Sequence, residues 1–170
     1  GSTRWQQAAT FPDLRVPEND PNIVLSFHFY SPHVFTHYKA SWDNIRHYTG
    51  PVHYPGTTVA PKDTLELTAK VKDIVRHYAS ESLDKAKLEE MMQPAIQKAD
   101  SLGLQLYCGE FGCLKTVPDD ARQRWFTDIF QIFEENNIAW TNWDYKSGQF
   151  GMFNPEDLSL ELEKEIVFVD

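Results

Sequence analysis

Short apolar runs alternate along the chain with longer stretches whose apolar positions recur at helical steps. Residues 22–30 are rich in β-branched and aromatic side chains and apolar on both faces, as a buried parallel strand is. Residues 104–110 and 138–145 repeat that character and are predicted as a second and a third strand. Between the first two, helical character runs from Asp63 to Ala79, and a clearer helix carries Leu88, Met91, Ala95, Ala99 and Leu102 on one face, closed by Gly103. Pro94 inside that pattern predicts a kink or a break. Asp119 is placed to cap a further helix, where Trp125, Ile129 and Phe133 form a stripe that Phe126 and Phe130 widen. A last short helix is predicted from Leu158 to Phe168. Residues 1–21 read as an irregular lead-in, and residues 31–62 as a long aromatic, His-rich loop broken by prolines 32, 51, 55 and 61. Loops of that length are commonly functional or disordered. Alternating strands and helices imply parallel βαβ units with right-handed crossovers.

Parallel α/β folds place their chemistry at the C-terminal ends of strands. A strict period of two puts Val24, Ser26, His28 and Tyr30 on one face of the first strand. It groups Leu104, Leu106, Cys108 and Glu110 on the second, and Ala139, Thr141, Trp143 and Tyr145 on the third. The opposite faces, with Ile23, Leu25, Phe27, Ile138 and Trp140, suit covering helices. The three strand ends thus bring together a carboxylate, a His, a Tyr and a Trp. Tyr and His donors keep a neighbouring carboxylate ionised, and a Trp face can floor a sugar ring. Double-displacement glycoside hydrolysis uses such a set, with a second carboxyl group about 5–5.5 Å from the first. A plainer reading stays open beside it, in which Glu110 caps the following loop and His28 is a satisfied core histidine.

Charge narrows the partners. The 170 residues carry a formal net charge of −9, which disfavours nucleic acid and anionic membranes, and no apolar run is long enough to cross a bilayer. Aromatics make up 14% of the chain and serve either core packing or sugar stacking. Cys108 and Cys113 read as two reduced thiols, a disulfide across so short a loop being the alternative. His33, His37, His47 and His53 fit no metal spacing and read as solvated or loop-packing.

Longer motifs carry a resemblance. Residues 26–30, followed by Pro32, residues 35–37 and residues 40–42, resemble the sixth-strand region of glycoside hydrolase family 5, and Tyr54-Pro55 in the loop after it fits the same likeness. Residues 108–112 (Cys-Gly-Glu-Phe-Gly) resemble that family's seventh strand, and residues 140–145 with 148–153 its eighth strand and loop. The likeness runs from about residue 20 to the end of the chain. It implies an α/β fold that is a partial (β/α)₈ TIM barrel, strands six to eight with their helices, with residues 1–170 forming the C-terminal portion of one catalytic domain. It implies retaining hydrolysis of β-glycosidic bonds in a β-glucan-type polysaccharide or oligosaccharide, endoglucanase-like, with no metal and no organic cofactor. Glu110 then matches the nucleophile, His28 and Tyr30 the sixth-strand pair, and Trp143 a substrate-binding Trp; Trp42 in the long loop is a candidate sugar platform, with loop packing the alternative.

One departure stands out: the family's Asn-Glu-Pro motif, which carries the acid/base Glu, does not occur in this sequence. The chain is therefore expected to start just after the fifth strand and to be inactive alone. It is expected to associate with a complementary N-terminal half-barrel or with itself, since open strands and apolar faces invite pairing. The alternative is a non-catalytic carbohydrate-binding or structural half-barrel. A secreted or periplasmic location is expected, with the leader not present in this sequence.

Overall fold

The computed structural model describes residues 7–17, 20–80, 82–144 and 148–151. Tyr145 and the helix predicted from Leu158 to Phe168 lie outside the described residues.

Three strands, β1 (Val24–Phe29), β4 (Gln105–Phe111) and β5 (Ala139–Asn142), form one parallel sheet in the order β1-β4-β5. Helix α3 (Lys85–Leu102) connects β1 to β4, and α4 (Asp119–Glu135) connects β4 to β5. Each strand pairs with the next strand of the sheet in chain sequence, as staves of a barrel do. The long connection after β1 is more structured than a plain loop. It holds a one-turn helix α1 (His33–Thr36), a 3₁₀ turn at Asn44–His47 and α2 (Ala69–Val75). It also holds a small antiparallel pair, β2 (Gly56–Thr57) with β3 (Ser82–Leu83).

Two helix predictions needed revision. The helix expected over residues 63–79 is three pieces: a 3₁₀ turn at Pro61–Thr64, α2, and a 3₁₀ turn at Arg76–Ala79. Val75 is the one residue of α2 that is fully buried; Val71, Ile74 and Tyr78 pack on the core only in part, which does not hold the segment as one longer helix. Conversely, Pro94 does not break α3. Proline costs a helix interior about 3 kcal/mol, but Leu88 and Met92 before it and Ala95, Ile96 and Ala99 after it are all buried in the core. That shared packing holds both halves in one continuous helix. Asp84 caps α3 by accepting from the Lys87 amide at 2.9 Å, and Gly103 ends it at φ 63, a left-handed conformation glycine adopts freely.

The main core lies on one face of the sheet. Leu25, Phe27, Phe29, Leu106, Cys108 and Phe111 are all buried there. Phe111 meets the rings of Trp125, Phe126, Phe130 and Phe133 from α4, the nearest at 5.0 Å. Phe11, from a 3₁₀ turn at Ala8–Asp13 in the lead-in, meets Phe27 edge-on at 6.3 Å. Trp140 packs on this side too, against Phe111 and Phe130, as the alternation along β5 predicts. Cys108 and Cys113 are both free and buried, in line with the reduced-thiol reading.

Candidate functional site

Parallel register decides which side chains share a face. Leu25 pairs with Leu106, Phe27 with Cys108 and Phe29 with Phe111, while Ser26 pairs with Tyr107 and His28 with Glu110. The predicted face of the second strand is therefore not the observed one. Leu106 and Cys108 belong to the buried face, and Glu110 stands on the opposite face beside His28. The cause is a register slip between Phe27 and His28, which leaves Gly109 as one extra residue in β4. Without that bulge, strict alternation from Tyr107 would turn Glu110 into the core.

The bulge leaves little room for a side chain at Gly109. A Cβ on Gly109 would stand 3.0 Å from Ser26 Oγ and 3.4 Å from His28 Nε2. A side chain there would fill the space in front of His28 and Glu110. Gly112 has a similar role at the strand end, where a Cβ would overlap the carbonyl oxygen of Trp143. Trp143 donates its amide to the Phe111 carbonyl at 2.8 Å, so the chain after β5 is tied to the end of β4.

The rim of the exposed face carries the polar groups. Tyr30 donates its hydroxyl to Glu110 Oε2 at 3.1 Å, and His28 Nδ1 lies 3.5 Å from the same oxygen. Burial, then the Glu110 charge and the hydrogen bond to it, raise the Tyr30 pKa, so its hydroxyl keeps its proton. Glu110 itself is about one-third exposed. It is thus held by a donor while open to a ligand. Deeper on the same face, Tyr107 and Thr141 share a hydroxyl–hydroxyl hydrogen bond.

Trp143 lies just past the end of β5 and is 53% exposed. It makes no ring contact or hydrogen bond with Glu110, His28 or Tyr30 among the described residues. Trp42, 56% exposed, reaches the same rim from the loop after β1: its ring lies 6.2 Å from Phe150, which lies 5.8 Å from Tyr30. The predicted residues therefore divide into a close trio, Tyr30 hydrogen-bonded to Glu110 with His28 3.5 Å from the same oxygen, and two exposed indoles, Trp42 and Trp143.

Sequence reasoning missed several members. Phe150 is buried between Tyr30, His37 and Trp42. His37, read as a loop histidine, sits 5.3 Å ring-to-ring from Tyr30. Thr36 is buried and donates to the Tyr30 carbonyl at 2.7 Å, fixing the chain just past β1. No period links these positions; the turn at Ser31-Pro32 brings them together, and Trp125 anchors that turn by donating Nε1 to the Ser31 carbonyl at 3.0 Å. His33 and His53 pack as loop residues on Asp43 and Asp63, at 2.9 and 3.2 Å. A separate hollow of about 330 Å³, between Pro55 and α4, contains none of the site residues.

Comparison with known proteins bears on this arrangement. The family profile described as Cellulase (glycosyl hydrolase family 5) matches residues 1–149. Endoglucanase C of Acetivibrio thermocellus is 32% identical over 139 residues, which cover 81% of this chain and 40% of that protein. Cellodextrinase A of Ruminococcus flavefaciens is 29% identical over 139 residues, covering 82% of this chain and 34% of that one. Among solved structures, endoglucanase Cel5A of Thermotoga maritima superposes with a TM-score of 0.64 at 20% identity, over 88% of this chain and 40% of its own. The cellulose synthase subunit Z of Clostridioides difficile superposes with a TM-score of 0.61 at 21% identity, over 89% and 42%. The chain thus spans about two fifths of the length of Endoglucanase C. The superpositions identify the sheet and its helices as adjacent staves of a (β/α)₈ barrel.

Proposed function

The chain belongs to the cellulase family of glycosyl hydrolases, family 5, and from that premise we propose that its exposed sheet rim is the nucleophile half of a retaining β-glucanase site. Glu110 is the nucleophile, Tyr30 and His28 orient it, and Trp143 and Trp42 carry the sugar rings of a β-linked glucan chain. The observation that carries this reading is the Tyr30–Glu110 hydrogen bond at 3.1 Å with His28 3.5 Å from the same oxygen, at the C-terminal end of a parallel strand.

The step follows from that geometry. A Glu110 oxygen attacks the anomeric carbon as the bond to the leaving oxygen breaks, giving a glycosyl ester on Glu110 and a leaving group that must gain a proton. Tyr30, protonated and donating to Oε2, fixes the carboxylate rotamer, so the ordering entropy is spent before substrate arrives. A second carboxylic acid supplies the proton and later activates water. With no Asn-Glu-Pro in the sequence, that acid belongs to the rest of the barrel, supplied by the complementary half-barrel or by another polypeptide. Action on an external polysaccharide also fits a secreted or periplasmic location, and among the described residues no helix is long and apolar enough to cross a membrane.

The test removes the need for the acid. A 2,4-dinitrophenyl 2-deoxy-2-fluoro-cellobioside leaves as a stable phenolate and traps the glycosyl-enzyme. Mass spectrometry of the treated chain is expected to find one fluorocellobiosyl group on the peptide containing Glu110 and none on Glu110→Gln. Labelling at another carboxylate would overturn the assignment. Cellobiose binding without labelling would favour a carbohydrate-binding half-barrel.

A further inference from the structure

Arg122 stands in the first turn of α4, behind the rim, and the mechanism above makes no use of it. Its side chain is half-buried, with the guanidinium carbon 5.0 Å from the centre of the Phe126 ring. From there Nε donates to the Cys113 carbonyl at 3.0 Å, and Nη2 donates to the Gly151 carbonyl. Cys113 belongs to the loop after β4 and Gly151 to the chain after β5, so one planar group joins the two. A guanidinium holds its donors in fixed directions, which an ammonium does not.

The joined loops carry a small apolar cluster apart from the main core. Ala40 from the loop after β1, Leu114 beside Cys113 and Phe150 beside Gly151 are buried together, with Tyr30 packed against them. Backbone hydrogen bonds follow the same seam: the Leu114 amide donates to the Thr36 carbonyl and the Lys115 amide to the Gln149 carbonyl, both at 2.9 Å. Phe150 is also the ring that Trp42 meets, at 6.2 Å, and Trp42 is itself 56% exposed. A path of contacts thus runs from α4, through Gly151 and Phe150, to an exposed indole at the rim. Glu110 is oriented by a different route, since Tyr30, which donates to it, is anchored through its own carbonyl by Thr36.

We propose that Arg122 is a positioning residue of the glucan site: its fork on Cys113 and Gly151 holds Phe150 against Trp42 and so sets the stance of that sugar platform. The inference rests on the glucanase reading and adds a division to it. Grip on the glucan at the Trp42 end is set from α4, while attack by Glu110 is set from β1 and β4. An indole left loose must be ordered when the sugar arrives, and that ordering is subtracted from affinity. Loss of the fork therefore weakens binding and spares the chemical step.

Cellotetraose is the probe, and the indole ¹H–¹⁵N resonances of the labelled chain are the readout. Titration of the unsubstituted chain is expected to move Trp42. No binding at all rejects the glucanase reading and the inference with it, whereas binding that moves Trp143 and not Trp42 overturns the inference alone. Arg122→Met keeps apolar cover on Phe126 and has no donor. In it the Trp42 resonance is expected to shift or broaden before any sugar is added. The Trp125 indole, bound to the Ser31 carbonyl from the same helix, should stay in place as the control for the fold. An unmoved Trp42 overturns the inference. Cellotetraose affinity should fall about five- to tenfold in this variant, the scale of a lost aromatic contact. The saturating rate of fluorocellobioside labelling should stay within about twofold, and a labelling rate that falls as far as the affinity also overturns the inference. Arg122→Lys, which keeps the charge and one donor group, should recover part of the affinity. Phe150→Leu tests the route even if the Met variant does not fold. It should weaken cellotetraose by a similar factor, and adding Arg122→Lys to it should cost nothing further, because the fork acts through that ring. Additive losses in the double variant overturn the inference.

Discussion

The two faces of the three-stranded sheet are built from the same strands for opposite ends. One face buries Leu25, Phe27, Phe29, Leu106, Cys108 and Phe111, none more than 4% exposed, against α4 and the 3₁₀ turn of the lead-in. The other carries Ser26, His28, Tyr30, Tyr107 and Glu110, all half-buried, beside the exposed Ala139 and Thr141. Fold stability therefore resides mainly on one side and the chemistry on the other, with adjacent residues of β4 divided between them. That division explains how so open a site can remain ordered: the polar rim needs little packing of its own because the strands beneath it are fixed from behind.

The sharpest way to break the comparison uses neighbouring positions. Phe111→Ala removes a ring that meets four aromatic rings of α4, and a loss of about 3–5 kcal/mol in urea unfolding is expected. Glu110→Gln, one residue earlier on the other face, should change stability by less than about 1 kcal/mol while abolishing covalent labelling by the fluorocellobioside. Similar stability losses for the two would mean that the faces are not separate in function.

Gly109 tests how the division is achieved. Gly109→Val places a branched side chain where the first carbon already crowds Ser26 Oγ at 3.0 Å. The bulge must close or β1 must shift, at a cost of roughly 1–3 kcal/mol for overpacking. Either response moves Glu110 away from Tyr30, so labelling should fall far more than stability. A Val variant that labels at the unsubstituted rate would show that the bulge does not set the Glu110 direction.

The same bulge marks the limit of what the sequence reveals. Strand ends and their cargo were legible, because β-branched and aromatic runs ending in His28, Tyr30 and Glu110 are local patterns. The face of β4 was not, since alternation assumes a regular ladder and a bulge depends on the partner strand. Helix α3 was legible despite Pro94, although its buried stripe uses Met92 and Ile96 where Met91 and Leu102 were expected. The rim residues Thr36, His37 and Phe150 were hidden for a different reason: a turn and a long loop bring them together, and no period crosses a turn. Trp42 was legible only as a loop indole of open role, and its approach to Phe150 comes from that same loop closure.

The two tryptophans of the third strand give a smaller contrast. Trp140 packs against Phe111 and Phe130, whereas Trp143, which the alternation assigns to the opposite face, is 53% exposed. Trp140→Ala should lower stability by about 1–3 kcal/mol, less than a fully buried ring would, because it is itself 44% exposed. Trp143→Ala should leave the unfolding midpoint almost unchanged and weaken cellobiose by about tenfold through lost stacking. Equal effects of both on cellobiose would contradict the face assignment.

A pH dependence gives a last test, and its sign separates an acid limb set by His37 and Asp43 from an alkaline limb set by buried phenols and thiols. On the acid side, the His37 pKa falls on folding from 6.5 to about 4. Between those values the unfolded chain binds a proton that the folded chain does not, so stability rises with pH there. The contribution is fully present above 6.5 and is lost as pH falls through 4. Asp43 is also depressed, burial opposing but the hydrogen bonds from His33 and the Ile45 amide prevailing, so its share is lost below its ordinary 3.8. On the alkaline side burial raises Tyr48 from 10.0 to about 12 and raises Tyr30, Tyr54, Cys108 and Cys113 as well. Their stabilisation is present below the unfolded values and is lost as pH climbs past them. Urea midpoints measured between pH 4.5 and 7 therefore isolate the His37 contribution from the carboxylate below and the phenols and thiols above. His37→Phe should flatten that window while leaving the alkaline limb as steep as before. An unchanged slope would mean that the ring beside Tyr30 is not held neutral by its surroundings.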